Sequence, residues 1–161
     1  MKTRWNVATL VGCSLALFIL LGNQSASDNQ ATEEKAVRSA GLEWYKFYAA
    51  GDVPSLVALY ADDAIVNPPG APPARGQAAI REYFTKDIAA SKGMSLKPGP
   101  KSDITISGDM AFEWNTFTVT DKSGATVDTG KYVTVYTKRD GKWLVIRDIW
   151  NDDTPMQAGK Q

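Results

Sequence analysis

Asp140-Gly141 stands between two long alternating runs, Gly130 to Arg139 and Lys142 to Asp153, and no other feature of the chain constrains its fold as strongly. An Asp-Gly pair suits a two-residue hairpin turn because both central residues of such a turn take positive φ. With that turn, Arg139 pairs with Lys142, and an unbroken register sets Val133 across from Asp148 and Lys131 across from Trp150. One face then carries Val133, Val135, Leu144, Ile146, Asp148 and Trp150. A mostly apolar surface holding one carboxylate is the lining expected of a small-molecule pocket. The opposite face, with Trp143, Val145, Arg147 and Ile149, is too apolar for solvent, so a second copy of the chain is expected against it.

The hairpin closes a longer pattern. Asp103 to Ser107, Met110 to Thr120 and Val127 to Lys138 alternate with period two and are separated by Ser-Gly-Asp and Asp-Lys-Ser-Gly turns; Lys142 to Asn151 follows Asp-Gly. Upstream the period changes. Val37, Ala40, Trp44, Phe47 and Tyr48 recur at three and four residues, which predicts a helix from about Thr32 to Ala50. Gly51 ends it, and Asp52 caps a short second helix with Pro54 in its first turn and Leu56, Val57, Leu59 and Tyr60 on its apolar side. Asp62-Asp63 turns into a short strand, Ala64 to Asn67, stopped by Pro68 and Pro69. Pro68 to Pro73 reads as a stiff lip, and a third helix follows Gly76 to about Ala90 with Ile80, Tyr83, Phe84 and Ile88 inward. Helices first and an antiparallel meander afterwards make an α+β plan, with three helices roofing a twisted sheet.

At 161 residues the chain suits one domain with a substantial core. Residues 1–27 read as an export leader: Lys2 and Arg4, an uncharged apolar run from Val7 to Leu21, then small Ala26 and Ser27 at the cut. Cleavage to a periplasmic or secreted protein ranks first. Retention of the leader as a membrane anchor is one alternative. Lipidation at Cys13, within Leu10-Val11-Gly12-Cys13, is the other, although strong apolar residues continue past that cysteine. Residues 28–32 then form a linker, 33–153 the domain and 154–161 a flexible tail. Without Lys2 and Arg4 the balance is 16 basic against 18 acidic residues, which is no footprint for nucleic acid. The chain has no histidine, and its one cysteine lies in the leader. Ser-His-Asp and Cys-His catalysis and a histidine zinc site are therefore excluded, and neither a metal nor a cofactor is expected. Proton chemistry falls to Asp, Glu, Tyr or Lys.

The stretch Glu43 to Tyr83, with Gly51-Asp52, Ala61-Asp62-Asp63-Ala64 and Gly76 followed by Ala79-Ile80, resembles the SnoaL-like and ketosteroid-isomerase-like proteins, as does the terminal hairpin around Gly141-Lys142-Trp143. The resemblance implies the nuclear transport factor 2 fold, a cone of curved sheet and three helices, usually dimeric. It also implies where the isomerase's working groups would stand: the tyrosine donor at Trp44, the aspartate base at Pro68 and the protonated aspartate at Val133. All three roles are vacant, which argues against a steroid double-bond shift by that route.

Asp148 is the leading candidate for function, because an acid inside an apolar cone is desolvated toward a useful pKa; an ion pair with Lys131 is the structural alternative. Glu113 shares a strand face with Asn115 and Phe117. It is either a second pocket carboxylate or a solvated or dimer-contact residue. Trp44, Tyr48, Asn67, Asn115, Val133, Ile146 and Trp150 complete the expected ligand contacts, with Trp150 read first as a core aromatic closing the mouth of the cone. Three functions follow: a binder of a small, mostly apolar molecule; an enzyme using Asp148 on a carbonyl-containing substrate; or a scaffold with a closed cavity.

Overall fold

A computed structural model describes the backbone of residues 12–153 and the side chains of residues 28–153, so the expectations for the leader, Cys13 and the tail after Asp153 lie outside the residues described in full. The elements are α1 (Gly12–Ala50), α2 (Val53–Val57), β1 (Tyr60–Asn67), β2 (Ala74–Arg75), α3 (Gly76–Ala90), β3 (Ser95–Pro98), β4 (Asp103–Ser107), β5 (Met110–Thr120), β6 (Thr126–Arg139) and β7 (Lys142–Asp152). Among the described residues, those up to Glu33 form one compact unit and those from Glu34 onward another. In the first, α1 runs through 28–32, where a linker is expected from polarity alone. The stretch has neither glycine nor proline to stop a helix, and Thr32 Oγ1 donates back to the Asp28 carbonyl at 2.8 Å.

In the second unit the helix boundaries follow their local signals. Gly51, at φ +68°, lets its N–H and that of Asp52 return to the Tyr48 and Phe47 carbonyls at 3.0 Å, closing α1. Asp52 Oδ1 accepts from the Ser55 N–H at 3.1 Å and starts α2. Tyr60 is not on the apolar side of α2. It opens β1, which is longer than the strand expected after an Asp62-Asp63 turn; both aspartates lie exposed within it. Asp63 meets Arg139 at 2.9 Å, so it serves pairing between strands and not chain reversal.

The sheet has seven strands in the order β2-β1-β7-β6-β5-β3, with β4 also paired to β5. It is α+β as expected, but it is mixed and not a pure meander, because β1 pairs β7 in parallel. The C-terminal strand is thereby held between β6 and the first strand of the domain. The core lies between the helices and the inner sheet face: Val37, Leu56, Ile80 and Phe84 meet Tyr60, Tyr136, Trp143 and Val145, all at most 7% exposed.

One register correction decides what faces inward. The turn is as expected, with Asp140 and Gly141 both at positive φ and Arg139 paired with Lys142. A bulge then interrupts the ladder: Tyr136 pairs Val145 and Val135 pairs Arg147, leaving Ile146 as the extra residue. One inserted residue exchanges the faces of everything beyond it. Near the turn Trp143 and Val145 are therefore buried, contrary to their assignment to an outer dimer face. Past the bulge Asp148 is inward, and its partner is Thr134 rather than Val133, while Lys131 faces Asn151 and Tyr132 faces Trp150. Val133 itself pairs with Ile149, on the outer face. The convex surface thus carries the cross-strand row Trp114, Val133 and Ile149 beside Phe112 and Val135, with Phe112, Trp114 and Ile149 each about half exposed.

Candidate functional site

The inner face of the sheet and the helices above it enclose a cavity of about 520 Å³. Each element contributes by its period. Helix α1 presents Gly41, Trp44, Tyr45 and Tyr48; α3 presents Tyr83, Phe84 and Asp87. From the sheet come Glu113 and Phe117 on β5, Tyr132, Thr134 and Tyr136 on β6, and Val145, Asp148 and Trp150 on β7. Exposed Pro69, Met94 and Val127 line it at the rim, so Pro69 does belong to the lip, whereas Pro68 is buried.

Asp148 is 6% exposed and faces this cavity. Its Oδ2 accepts from Tyr60 Oη at 2.7 Å and its Oδ1 from Thr134 Oγ1 at 3.2 Å. Burial pushes its carboxyl from 3.8 up to about 6; the two hydroxyl donors hold it down in part, and Glu113 raises it further. The expected alternative, an ion pair with Lys131, does not form: Lys131 Nζ pairs with Asp153. Tyr60 is itself held by Trp44, whose indole Nε1–H donates to Tyr60 Oη at 2.7 Å. Burial, followed by the neighbouring carboxylate of Asp148, keeps the Tyr60 phenol well above its ordinary value, so it remains a donor. A hydroxyl that accepts one hydrogen bond donates the next more strongly, so Trp44, Tyr60 and Asp148 act as a directed chain.

Glu113 is 2% exposed, which excludes the solvated and dimer-contact alternatives. Tyr136 Oη donates to its Oε2 at 2.8 Å, while Ser102 Oγ and Tyr132 Oη donate to Oε1 at 2.6 and 3.2 Å. Gly41 is what lets α1 lie this close: a Cβ there would stand 2.9 Å from Glu113 Oε2. A third carboxylate, Asp87, has no counterpart in the sequence reading. Tyr48 and Tyr83 donate to it at 2.6 and 3.4 Å. Its signal was available, since Tyr83 and Asp87 lie one helical turn apart on the face that carries Phe84 and Ile88.

Of the expected site residues, the cavity therefore gathers Asp148, Glu113, Trp44, Tyr48 and Trp150. Asn67 is near but outside the lining; its Nδ2 reaches the Asp148 carbonyl at 3.5 Å. Asn115 is buried toward a second cavity of about 150 Å³, where it donates to the Gly99 carbonyl and Ser102 Oγ at 3.2 and 3.3 Å. Val133 is placed on the outer face by its pairing, and Ile146 is the bulge residue, so neither reaches the cavity. Tyr60 and Thr134, which hold Asp148, went unnoticed because they become neighbours of it only through the bulge and the parallel β1–β7 pairing.

The SnoaL-like domain family matches residues 42–146. Among solved structures, an NTF2-like protein with a cystatin-like fold from Novosphingobium aromaticivorans is similar at a TM-score of 0.76 and 19% identity, over 86% of this chain and 93% of that one. An NTF2-like protein from Pseudomonas putida KT2440 matches at 0.71 and 19% identity, over 79% and 91% of the two chains. A ketosteroid isomerase-like protein from Erwinia carotovora atroseptica matches at 0.59 and 21% identity, over 74% and 95%. These likenesses establish the cone fold.

Proposed function

This chain belongs to the SnoaL-like domain family, and from that premise we propose that its cavity binds a small, mostly apolar molecule oriented by one polar group. The observation that carries this reading is Asp148: a buried carboxyl, already held by Tyr60 and Thr134, facing a void of about 520 Å³ walled by aromatic rings. Burying an acid is unfavourable unless something uses it. A void of that size falls in the range of ligand sites. Native mass spectrometry of the purified protein should show a retained small molecule, or thermal shift should respond to apolar compounds. Silence from both across a broad library would end the reading.

A second reading, proton transfer on a carbonyl-containing substrate, is favoured by the carboxyl of Asp148 lying near 6, where it can both take and return a proton close to neutral pH. The positions corresponding to the isomerase's working residues do not supply this: Trp44 donates to Tyr60, Pro68 has no acidic group, and Val133 pairs on the outer face. The Tyr60–Asp148 pair would supply it instead. Asp148→Asn should abolish turnover of any substrate found while leaving the fold intact; an unchanged rate would remove Asp148 from the chemistry.

The outer row of Trp114, Val133 and Ile149 supports self-association through the convex face, in place of the Trp143 and Val145 surface read from sequence. Sedimentation should give a twofold mass for the wild type and monomers for Ile149→Lys. Export rests on the composition of residues 1–27; N-terminal sequencing of the protein recovered from the producing cells tests it.

A further inference from the structure

We propose that the molecule bound in the main cavity is an organic cation: a protonated amine or quaternary ammonium group on an apolar body. The inference rests on the cavity being a ligand site, and it deepens that reading by naming the ligand's charge. Five carboxyl side chains line the void, Asp87, Glu113, Asp128, Asp148 and Asp152, and neither lysine nor arginine does among the described residues. Three of them show how the imbalance is maintained. Asp87 takes Tyr48 and Tyr83, Asp148 takes Tyr60 and Thr134, and Glu113 takes Ser102, Tyr132 and Tyr136. Hydroxyl donors satisfy the lone pairs of a carboxylate without cancelling its charge. Each inner acid is thus supplied with hydroxyl partners, and no lysine or arginine of the described lining offsets the group.

Three basic side chains are held in pairs away from the void. Lys131 pairs with Asp153, Arg139 with Asp63 and Arg38 with Glu34. Arg38 lines only the smaller cavity, across the wall that Gly41, Tyr45 and Tyr132 form with the larger one. An anionic ligand would enter a low-dielectric void against like charge, with no lysine or arginine among the described lining residues to receive it. A neutral apolar ligand would cover the walls and leave the field as it was.

The walls suit a cation as well. Trp44 stacks on Tyr48 at 5.0 Å with the planes 13° apart, and Tyr83 meets Trp150 at 6.0 Å. Rings of this kind present negative faces, and an ammonium group within about 6 Å of a ring centre is attracted to them, most strongly to tryptophan. An aromatic enclosure with carboxylates behind and at its rim matches an ammonium charge attached to an apolar body.

Isothermal titration of the purified full chain with three probes of similar size tests this. Benzyltrimethylammonium carries the charge, neopentylbenzene has the same shape without it, and phenylacetate reverses it. The cation should bind on the order of tenfold tighter than its neutral isostere, and phenylacetate more weakly than either. Asp87→Asn should weaken the cation severalfold and leave neopentylbenzene unchanged; Asp152→Asn at the rim provides the same comparison if the first variant does not fold. Equal or tighter binding of the neutral probe would overturn the charge assignment and leave the cavity as a binding site. Failure of all three probes to bind would overturn both.

Discussion

Replacing Asp148 with asparagine should stabilise the protein at neutral pH, although it removes the residue on which the proposed chemistry depends. The group's carboxyl lies at about 6 in the folded state against an ordinary 3.8. A carboxyl whose pKa is raised by folding gives its full stability below the ordinary value and loses it as pH climbs to the folded one, because the folded state holds a proton that the unfolded chain has released. At 1.36 kcal/mol per unit, the loss between pH values of about 4 and 6 is about 3 kcal/mol. Asparagine does not titrate. Its carbonyl can still accept from Tyr60, and its amide can donate to Thr134 Oγ1, so both hydrogen bonds have a replacement. Urea denaturation of both proteins at intervals from pH 4 to pH 8 should give stabilities that start within about 1 kcal/mol of each other. They should separate to about 3 kcal/mol in favour of the variant by pH 6.5 and stay parallel above it. Parallel curves across the whole range would refute the desolvated acid. A gain of this size in a variant without its functional acid would be the signature of a site held against the stability of the fold.

Three further outcomes test the geometry around that acid. Tyr60→Phe deletes the donor to Asp148 and the acceptor of the Trp44 indole, so the Asp148 carboxyl should titrate above 6 by carbon-13 NMR and stability should fall by about 1 to 3 kcal/mol; an unmoved titration would show that the hydroxyl does not hold the carboxylate. Gly41→Ala brings a methyl group to 2.9 Å from Glu113 Oε2, and despite alanine's better helix propensity it should cost about 1 to 3 kcal/mol in chemical denaturation; a more stable variant would mean that α1 is not pressed onto Glu113. Gly130→Ala would set a carbon 2.2 Å from Phe117 Cζ and 2.4 Å from the Asn151 carbonyl, and a loss of about 3 kcal/mol or more is expected, with wild-type stability as the contrary result.

What was legible and what was not divides at the second turn of pairing. Asp52 and Gly51 marked helix ends, and Asp140-Gly141 marked the hairpin, because each acts on the backbone within a few residues of itself. Glu113 and Asp148 were legible as an unusual pair of acids on apolar strands, yet the side on which Glu113 lies required the observed burial. From sequence the cross-strand partner of Asp148 reads as Val133 and Trp143 and Val145 read as outward, whereas the structure pairs Asp148 with Thr134 and buries both of the others, for one reason: no local signal distinguishes Ile146 as an extra residue in the ladder. Tyr60 was hidden in the same way, since only the parallel pairing of β1 with β7 carries it beneath Asp148.

Alternation, caps and turn residues determined by themselves that this chain is α+β, that its long strands follow its helices, and that an acid lies among apolar residues near its end, because those properties arise from forces between residues close along the backbone. The tertiary structure alone decided that Glu113 and Asp87 join Asp148 at the void, which hydroxyls hold them and which surface is left outside. A strand's two faces are equivalent until it pairs, and one bulged residue between distant strands exchanges them.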